Sequence, residues 1–143
     1  MLAETHVDYA VQLMKKANLK VTKQRRDLIA FLYEHQDHYL PIKTVDQYLR
    51  NFYPRMSYET VYRNIDELSD LHIVEKRMFS SGLHVKFQCD FDHVQHSHFI
   101  CENCGRVVEL KEPPLAQVQD QLPDYQITAQ HLEVFGLCPK CQL

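Results

Sequence analysis

Two pairs of cysteines constrain the fold of this 143-residue chain more than any other feature. Cys101 pairs with Cys104, and Cys138 with Cys141, each with the spacing C-x-x-C. Two cysteines three residues apart can bind one metal ion from a single tight turn, and Gly105 permits the close backbone approach common in such turns. We therefore predict a closed tetrahedron of four thiolates around a structural zinc, one per chain, which replaces part of a missing core.

The cysteines indicate a reducing compartment. The N-terminal segment has acidic residues and tyrosine where a secretory signal needs an apolar core, and no run approaches the roughly 20 apolar residues of a membrane helix. Five cysteines in such a chain favour thiolate chemistry over a disulfide framework. We expect a cytoplasmic protein without a membrane partner.

The first half of the chain has four short stretches with apolar residues at helical spacing. These are Val7, Ala10, Val11 and Met14; Leu28, Phe31 and Leu32; Val45, Tyr48, Leu49 and Phe52; and Val61, Ile65 and Leu68. Two β-prone runs around Ser80-Ser81-Gly82 then predict a hairpin. We predict an α+β protein, with a winged helix over residues 1–85 and a small strand-rich domain over 86–143 that has a short helix near 115–122.

The formal charge of -3 is unevenly distributed along the chain. Residues 1–83 carry 12 basic and 11 acidic side chains, whereas residues 84–143 carry 4 basic and 8 acidic ones. Six basic residues and no acidic residue lie between Lys15 and Arg26. Because phosphate affinity depends on local cations rather than on net charge, this segment is suited to contact DNA.

The fourth helical stretch, SYETVYRNIDEL, predicts the element that enters the major groove. Its apolar positions face inward, so its first turns present hydroxyl, aromatic and cationic side chains that suit phosphates and thymine methyl groups. A solvated helix face is the alternative, and the neighbouring basic residues favour DNA binding. The predicted DNA contacts are Lys20, Arg25, Arg55, Ser57, Tyr58, Thr60, Tyr62 and Arg63.

A fifth cysteine and several histidines precede the first cysteine pair. His96 and His98 are two residues apart, so on a strand both project from one face. Together with Cys89 they offer thiolate and imidazole ligands, which suit zinc, whereas an oxygen-rich set would favour iron or manganese. Surface histidines beside a buried thiol are the alternative interpretation.

The hairpin supplies a fourth candidate ligand. If its turn centres on Ser81, Cys89 lies opposite Ile73, with Glu75 diagonally adjacent on the same face, although a slip of one residue would reverse this. We predict a regulatory zinc site from Glu75, Cys89, His96 and His98. Such a site would join the wing to the C-terminal half, so its occupancy could set how the two domains are oriented.

A zinc-dependent enzyme is the alternative from a different class. Zinc deaminases carry H-x-E followed much later by P-C-x-x-C, and HLEVFGLCPKC contains these ingredients. Here only four residues separate Glu133 from Cys138, and the proline lies inside the cysteine pair. We therefore expect no catalytic activity and no small-molecule substrate.

Four motifs together resemble the ferric uptake regulator family of metal-dependent bacterial repressors. They are LKVTKQR at 19–25, SYETVYRNIDEL at 57–68, HSHFICENCG at 96–105 and HLEVFGLCPKC at 131–141. The resemblance implies an N-terminal winged helix and a C-terminal α/β dimerisation domain. It also implies a homodimer whose metal loading enables it to bind palindromic, double-stranded operator DNA.

Within that family, the chain is most similar to the zinc uptake regulator branch. Cys89 stands where iron and peroxide sensors usually place a carboxylate, and Glu75 matches an acidic ligand of zinc sensors. Those other branches also use a histidine where this chain has Tyr39, with His38 one place early. A repressor that senses iron or peroxide, with Fe²⁺ or Mn²⁺ at the regulatory site, is the alternative.

Many members of the family have an additional metal site built from histidines that alternate with the sensor pair. Gln95 and Ser97 occupy those positions here. The remaining candidates for a weaker additional site, or for hydrogen-bond partners of the regulatory ligands, are His93, Glu109 and His131.

Overall fold

The chain folds into two compact units, Met1–Phe91 and Asp92–Leu143. In this computed structural model, the described residues are 2–88, 97–111, 115–128, 130 and 132–142. The domain boundary predicted between residues 85 and 86 lies inside a strand, Gly82–Phe87, whereas the observed division follows that strand. Within the described residues, no helix has the length and apolar character needed to cross a bilayer.

Residues 2–88 form a winged helix, as the sequence predicts. The described elements are helices α1 Leu2–Lys16, α2 Lys23–Glu34, α3 Ile42–Phe52 and α4 Tyr58–Asp70, and strands β1 Leu40–Pro41, β2 Val74–Phe79 and β3 Gly82–Phe87. The strands form an antiparallel sheet in the order β1-β3-β2. The β2–β3 hairpin is the wing.

Hydroxyl side chains determine where α2 and α4 begin. Thr22 Oγ1 accepts a hydrogen bond from the backbone N–H of Arg25 at 3.1 Å. Ser57 Oγ accepts one from the backbone N–H of Thr60, also at 3.1 Å, so the predicted cap of α4 is confirmed. Each bond satisfies an N–H group that has no partner within its own helix.

The apolar stripes of α1 to α4 meet in a single core. Met14, Leu28 and Ile65 are completely buried there, and Phe87 of β3 is buried beside them. Phe52 differs from the prediction, because this last residue of α3 is 60% exposed instead of facing inward. The core therefore joins the four helices to the base of the wing.

The hairpin has a tighter turn than the sequence analysis expects. Phe79 pairs with Gly82, and Gly82 has a φ of 124°, a conformation that glycine adopts without steric cost. Glu75 consequently pairs with Lys86. The predicted register is wrong by one residue, which exchanges the faces of β3 relative to β2. The observed pairing ends at Phe87, and Cys89 lies outside the described residues, so the predicted grouping of Glu75 with Cys89 stays a prediction.

The second unit contains a three-stranded sheet in the order β5-β4-β6. Its described strands are β4 Ser97–Cys101, β5 Val107–Leu110 and β6 Glu133–Gly136, with β5 antiparallel and β6 parallel to β4. Helix α5, Leu115–Gln121, lies between β5 and β6 in the sequence, close to the predicted helix, and a 3₁₀ helix spans Pro139–Cys141.

This second unit has a small apolar core. Among its described residues, the buried apolar side chains are Ile100, Cys101 and Cys138. Two of these three belong to the predicted metal site. A unit with so little apolar burial needs another source of stability, and a metal cross-link is one such source.

We expect Thr22→Ala to destabilise the protein by about 1 kcal/mol, because the N–H of Arg25 loses its acceptor. Thr22→Ser should retain most of the stability. Thr44→Ala is the matched control at an exposed position inside α3, and it should be neutral or slightly stabilising. Urea unfolding followed by circular dichroism measures the free energy of unfolding. Equal losses in the two alanine variants would contradict the capping role.

Candidate metal centre and nucleic-acid interface

The two cysteine pairs follow neighbouring parallel strands. Cys101 is the last residue of β4, and Cys138 comes shortly after β6 ends at Gly136. Because β4 and β6 run in the same direction, with Cys101 opposite Gly136, their carboxyl ends lie at one edge of the sheet. The strand pairing thus brings together two motifs that are distant in the sequence.

Each cysteine pair lies in a tight turn. The N–H of Gly105 donates to the carbonyl oxygen of Cys101 at 3.0 Å, and Gly105 has a φ of 80°, which favours glycine. In the 3₁₀ helix, the N–H of Cys141 donates to the carbonyl oxygen of Cys138 at 2.9 Å. The two turns place all four sulfur atoms close together.

The sulfur geometry fits a tetrahedral zinc ion. The four sulfur atoms all lie within 4.8 Å of one another, and Cys104 Sγ lies 3.7 Å from Cys138 Sγ. With Zn–S bonds of about 2.3 Å, the sulfurs of a zinc tetrahedron are about 3.8 Å apart. Cys101, Cys104, Cys138 and Cys141 are therefore brought together as the sequence predicts, close enough for one metal ion to bind all four.

Hydrogen-bond donors point at two of the sulfurs. The N–H groups of Cys138 and Cys104 lie 3.4 Å and 3.5 Å from Cys101 Sγ, and Asn103 Nδ2 lies 3.2 Å from Cys141 Sγ. Burial raises the pKa of Cys101, but these backbone donors outweigh it and lower the pKa to about 6. Burial and hydrogen bonds with neighbouring sulfurs raise the pKa of Cys104 to about 12. The surroundings of Cys101 thus favour the thiolate that a metal needs.

The first turns of α4, which are predicted to contact DNA, carry a pair of tyrosines whose rings are in contact. The rings of Tyr58 and Tyr62 meet edge to face with centroids 4.8 Å apart, and the Tyr58 hydroxyl donates to that of Tyr62 at 3.3 Å. This hydrogen bond, with some burial, raises the pKa of Tyr58 to about 12. Arg63 is exposed next to this pair. Tyr58, Tyr62 and Arg63 therefore lie on accessible or partly accessible parts of the predicted groove-reading helix.

A surface pocket adjoins the start of α4. Arg55, Ser57 and Thr60 line it, and the Ser57 and Thr60 hydroxyls are hydrogen-bonded at 2.8 Å. Gln24 at the start of α2 lines the same pocket and was not among the predicted DNA contacts. In the sequence, the feature that could have pointed to Gln24 is its position inside the basic segment, which also contains the exposed Lys20. The pocket brings three predicted DNA contacts together.

Arg25 is engaged inside the first unit, although sequence analysis grouped it with the phosphate contacts. Its side chain is only 14% exposed. Its guanidinium donates to Asn64 Oδ1 at 3.1 Å, to Glu67 Oε2 at 2.8 Å and to the carbonyl oxygen of Lys20 at 2.6 Å. These bonds extend from the first turn of α2 to α4.

Among the described residues, Glu75 is the predicted ligand of the regulatory site that lies in the wing. Its Oε2 accepts a hydrogen bond from the hydroxyl of Tyr39 at 2.9 Å. Burial, followed by the charge of Glu75, raises the pKa of Tyr39, so the phenol remains a donor. The guanidinium of Arg77 lies 5.3 Å from the centroid of the Tyr39 ring. Tyr39 thus contacts a predicted ligand of the regulatory site.

Among the described residues, His98 is the predicted ligand of the regulatory site that lies in the second unit. It lies on β4, in register with Glu109 on β5 and Glu133 on β6. Residues directly opposite on neighbouring strands share a face of the sheet, so two acidic positions flank the histidine. Glu133 was not among the predicted site residues. Cys89, His93, His96 and His131 lie outside the described residues, so the regulatory and additional sites stay predictions.

A winged helix followed by a small sheet unit with a four-cysteine site defines the class of metal-binding, DNA-binding regulators. Residues 16–135 match the sequence model of the Ferric uptake regulator family, and the chain belongs to that family. Its members are metal-responsive, DNA-binding transcriptional repressors and not enzymes, so the expectation of no catalytic activity is confirmed.

Among curated relatives, the ferric uptake regulation protein of Staphylococcus epidermidis is 35% identical over 133 residues, which span 93% of this chain and 94% of that protein. The Staphylococcus aureus protein of the same name is 34% identical over 93% of this chain and 96% of its own length. Both likenesses extend across the two units.

Two solved structures share the fold. The ferric uptake regulator of Helicobacter pylori, described as having three functional metal-binding sites, aligns with a TM-score of 0.71 and 23% identity over 99% of this chain and 94% of its own. A zinc uptake regulator complexed with zinc and DNA aligns with a TM-score of 0.68 and 23% identity over 99% and 95%.

We expect Cys101→Ser to lose the structural zinc and to unfold the second unit. The binding energy of a structural zinc, on the order of 10 kcal/mol, is also folding energy. Elemental analysis and amide hydrogen exchange over residues 97–111 and 132–142 measure the two effects. Glu102→Gln is the control, because it changes an exposed side chain in the same turn without removing a thiol. Unchanged zinc content and exchange in Cys101→Ser would refute a structural role.

Proposed function

We propose that this protein is a zinc-responsive repressor that binds a palindromic operator as a homodimer when its regulatory site is loaded. In this proposal, Cys101, Cys104, Cys138 and Cys141 hold one structural zinc, which cross-links the turns after β4 and β6. Glu75, Cys89, His96 and His98 hold the regulatory zinc. The observation that carries zinc as the signal is the donor set, since a thiolate with two imidazoles suits zinc better than iron or manganese.

The described ligands have surroundings that support this role. Glu75 is held by the Tyr39 hydroxyl, and a hydrogen bond to one carboxylate oxygen orients the other. His98 has Glu109 and Glu133 at the directly neighbouring positions of the sheet. Carboxylates near a metal-binding histidine can accept its second ring N–H and fix its orientation. In this proposal, Glu109 and Glu133 are the candidate hydrogen-bond partners of the His98 ring.

Iron is the competing signal, and the curated relatives favour it, because both staphylococcal proteins are named for ferric uptake. Their names describe those proteins, whereas the regulatory ligand set proposed for this chain contains a cysteine. In this proposal, Fe²⁺ or Mn²⁺ binds the regulatory site less well than zinc. A direct comparison of the metals decides between the two signals.

DNA recognition is assigned to α4 and the residues around its start. Arg55, Ser57 and Lys20 are exposed and polar, as phosphate contacts need to be. Tyr58, Tyr62 and the neighbouring Thr60 and Arg63 belong to the first turns of α4, the part of a recognition helix that reaches base edges. A two-fold homodimer would read two matching half-sites.

The sheet of the second unit supports pairing with a second copy of this chain. Val108 of β5 is 41% exposed, and Val134 and Phe135 of β6 are 41% and 48% exposed. In the described sheet, β5 and β6 are the outer strands, so each leaves an edge that another strand or surface can cover. These apolar positions are suited to a dimer interface.

The regulatory site is tested by Cys89→Ser and Glu75→Gln. Both variants should keep about one zinc per chain, against two in the unaltered protein, and should lose zinc-stimulated operator binding. Cys89→Asp should weaken the zinc response and let Fe²⁺ or Mn²⁺ compete better, because it replaces sulfur with oxygen. Asp70→Asn is the control, since it removes an exposed acid of the same unit.

The measurements are metal content and operator affinity, taken in parallel titrations with Zn²⁺, Mn²⁺ and, under anaerobic conditions, Fe²⁺. If Cys89→Ser responds fully to zinc, then Cys89 is not a ligand. If the unaltered protein binds the operator with iron but not with zinc, iron is the signal.

The dimer is tested by the double variant Val134→Asp and Phe135→Asp, which places a carboxylate on each face of β6. We expect a monomer that keeps its structural zinc, as measured by analytical ultracentrifugation and elemental analysis. Met78→Asp is the control, because Met78 is 72% exposed in the other unit. A dimer of undiminished affinity in the double variant would show that β6 lies outside the interface.

A further inference from the structure

We infer that Arg25 is a positioning residue, which sets the position and rotation of α4, and that it is not a phosphate contact. The inference rests on the proposed role of α4 as the helix that reads DNA. It changes the role that sequence analysis gives to one of the six basic residues between Lys15 and Arg26.

All three guanidinium nitrogens of Arg25 donate to protein acceptors. Nε donates to Asn64 Oδ1 at 3.1 Å, Nη2 to Glu67 Oε2 at 2.8 Å and Nη1 to the carbonyl oxygen of Lys20 at 2.6 Å. The Arg25 side chain is 14% exposed, and Asn64 is 6% exposed. The guanidinium is thus turned toward α4, and the Glu67 carboxylate neutralises its charge there.

The geometry of these bonds explains how one side chain can orient a helix. Asn64 and Glu67 are three residues apart, so they lie on the same side of α4, about one turn from each other. A guanidinium presents its donors in a rigid plane, and two bonds from this plane restrict both sliding and rotation of α4. A lysine has a single ammonium group and cannot present two donors in such a rigid, planar fork. Thr22, which caps α2, holds the backbone of Arg25 itself.

The orientation of α4 controls the residues proposed to read bases. Tyr62 and Arg63 immediately precede Asn64 in the sequence, so a rotation of α4 that follows loss of the fork moves both side chains. Base contacts depend on such placement, whereas binding to the uniform phosphate charge depends on it far less. Loss of the Arg25 bonds should therefore reduce discrimination between operator and other sequences more than it reduces general affinity for DNA.

The test uses the full-length, zinc-loaded protein and an operator duplex selected from a random-sequence pool with the unaltered protein. Affinities for this duplex and for a scrambled duplex are measured over a range of salt concentrations. The variants are Arg25→Met, Arg25→Lys, Glu67→Gln and the double variant Arg25→Met with Glu67→Gln. Arg26→Met is the matched control, because Arg26 is exposed next to Arg25, and Arg63→Ala reports on α4 itself.

We expect Arg25→Met, Arg25→Lys and Glu67→Gln each to lower the ratio of operator affinity to scrambled-duplex affinity by roughly 10-fold, the order of one charge-assisted hydrogen bond. The double variant should add little to Arg25→Met, because the arginine change already removes the ion pair with Glu67. The salt slope on the scrambled duplex should stay unchanged. Arg26→Met should keep the ratio and, if it contacts a phosphate, reduce that slope by about 0.9.

The inference is overturned if Arg25→Met lowers the salt slope by about 0.9 while Glu67→Gln keeps the ratio, since that is the behaviour of a phosphate contact. Glu67→Gln also guards against a folding defect in Arg25→Met, because it removes the ion pair without changing the arginine. If Arg63→Ala also keeps the ratio, the proposed role of α4 is wrong and the inference fails with it. A ratio lowered by Arg63→Ala alone overturns the positioning role and leaves the proposed function standing.

Discussion

The parallel pairing of β4 with β6 is the contact on which the second unit depends. It brings the cysteine turns that follow β4 and β6 to one edge of the sheet, where Cys104 Sγ lies 3.7 Å from Cys138 Sγ. Gly136 contributes at this position, because a Cβ atom there would lie 3.3 Å from the ring of Phe99 on β4. The absence of a side chain at Gly136 thus leaves room for the Phe99 ring beside β6.

Polar contacts hold α4 from several directions in the first unit. Besides Arg25, Lys76 of the wing forms an ion pair with Asp66 at 2.7 Å, and Arg50 of α3 donates to the carbonyl oxygen of Met56, just before α4, at 3.1 Å. The apolar side of α4 is buried in the core, which fixes its depth. The polar contacts add restraint about its axis, a restraint that apolar packing supplies less strictly because it is less directional.

Sequence reasoning succeeded where a short pattern is sufficient. Helical periodicity located α1 to α4, the hydroxyl of Ser57 located a helix start, and the C-x-x-C spacing located the metal turns. It failed at the hairpin, where a turn centred on Ser81 and a tighter turn ending at Gly82 are nearly equivalent in composition, yet differ by one residue in register.

Long-range contacts also escaped the sequence analysis. A cluster of basic residues shows that charge is concentrated, but it cannot show that Arg25 is neutralised by Glu67, which lies 42 residues away in the chain. Likewise, Phe52 matches the apolar period of α3, but it is the last residue of that helix and lies beyond the edge of the core. Such outcomes depend on which elements meet in space.

The hydrogen bond between Tyr39 and Glu75 joins the segment before α3 to the wing, across 36 residues of chain. A flexible glutamate loses rotamer freedom when it binds a cation, and that entropy reduces affinity. Here the Tyr39 hydroxyl already restrains Glu75, so much of this loss occurs when the protein folds. With Oε2 engaged, a cation would be bound through Oε1. Any cation that binds Glu75 therefore binds a carboxylate whose orientation is already restrained by Tyr39.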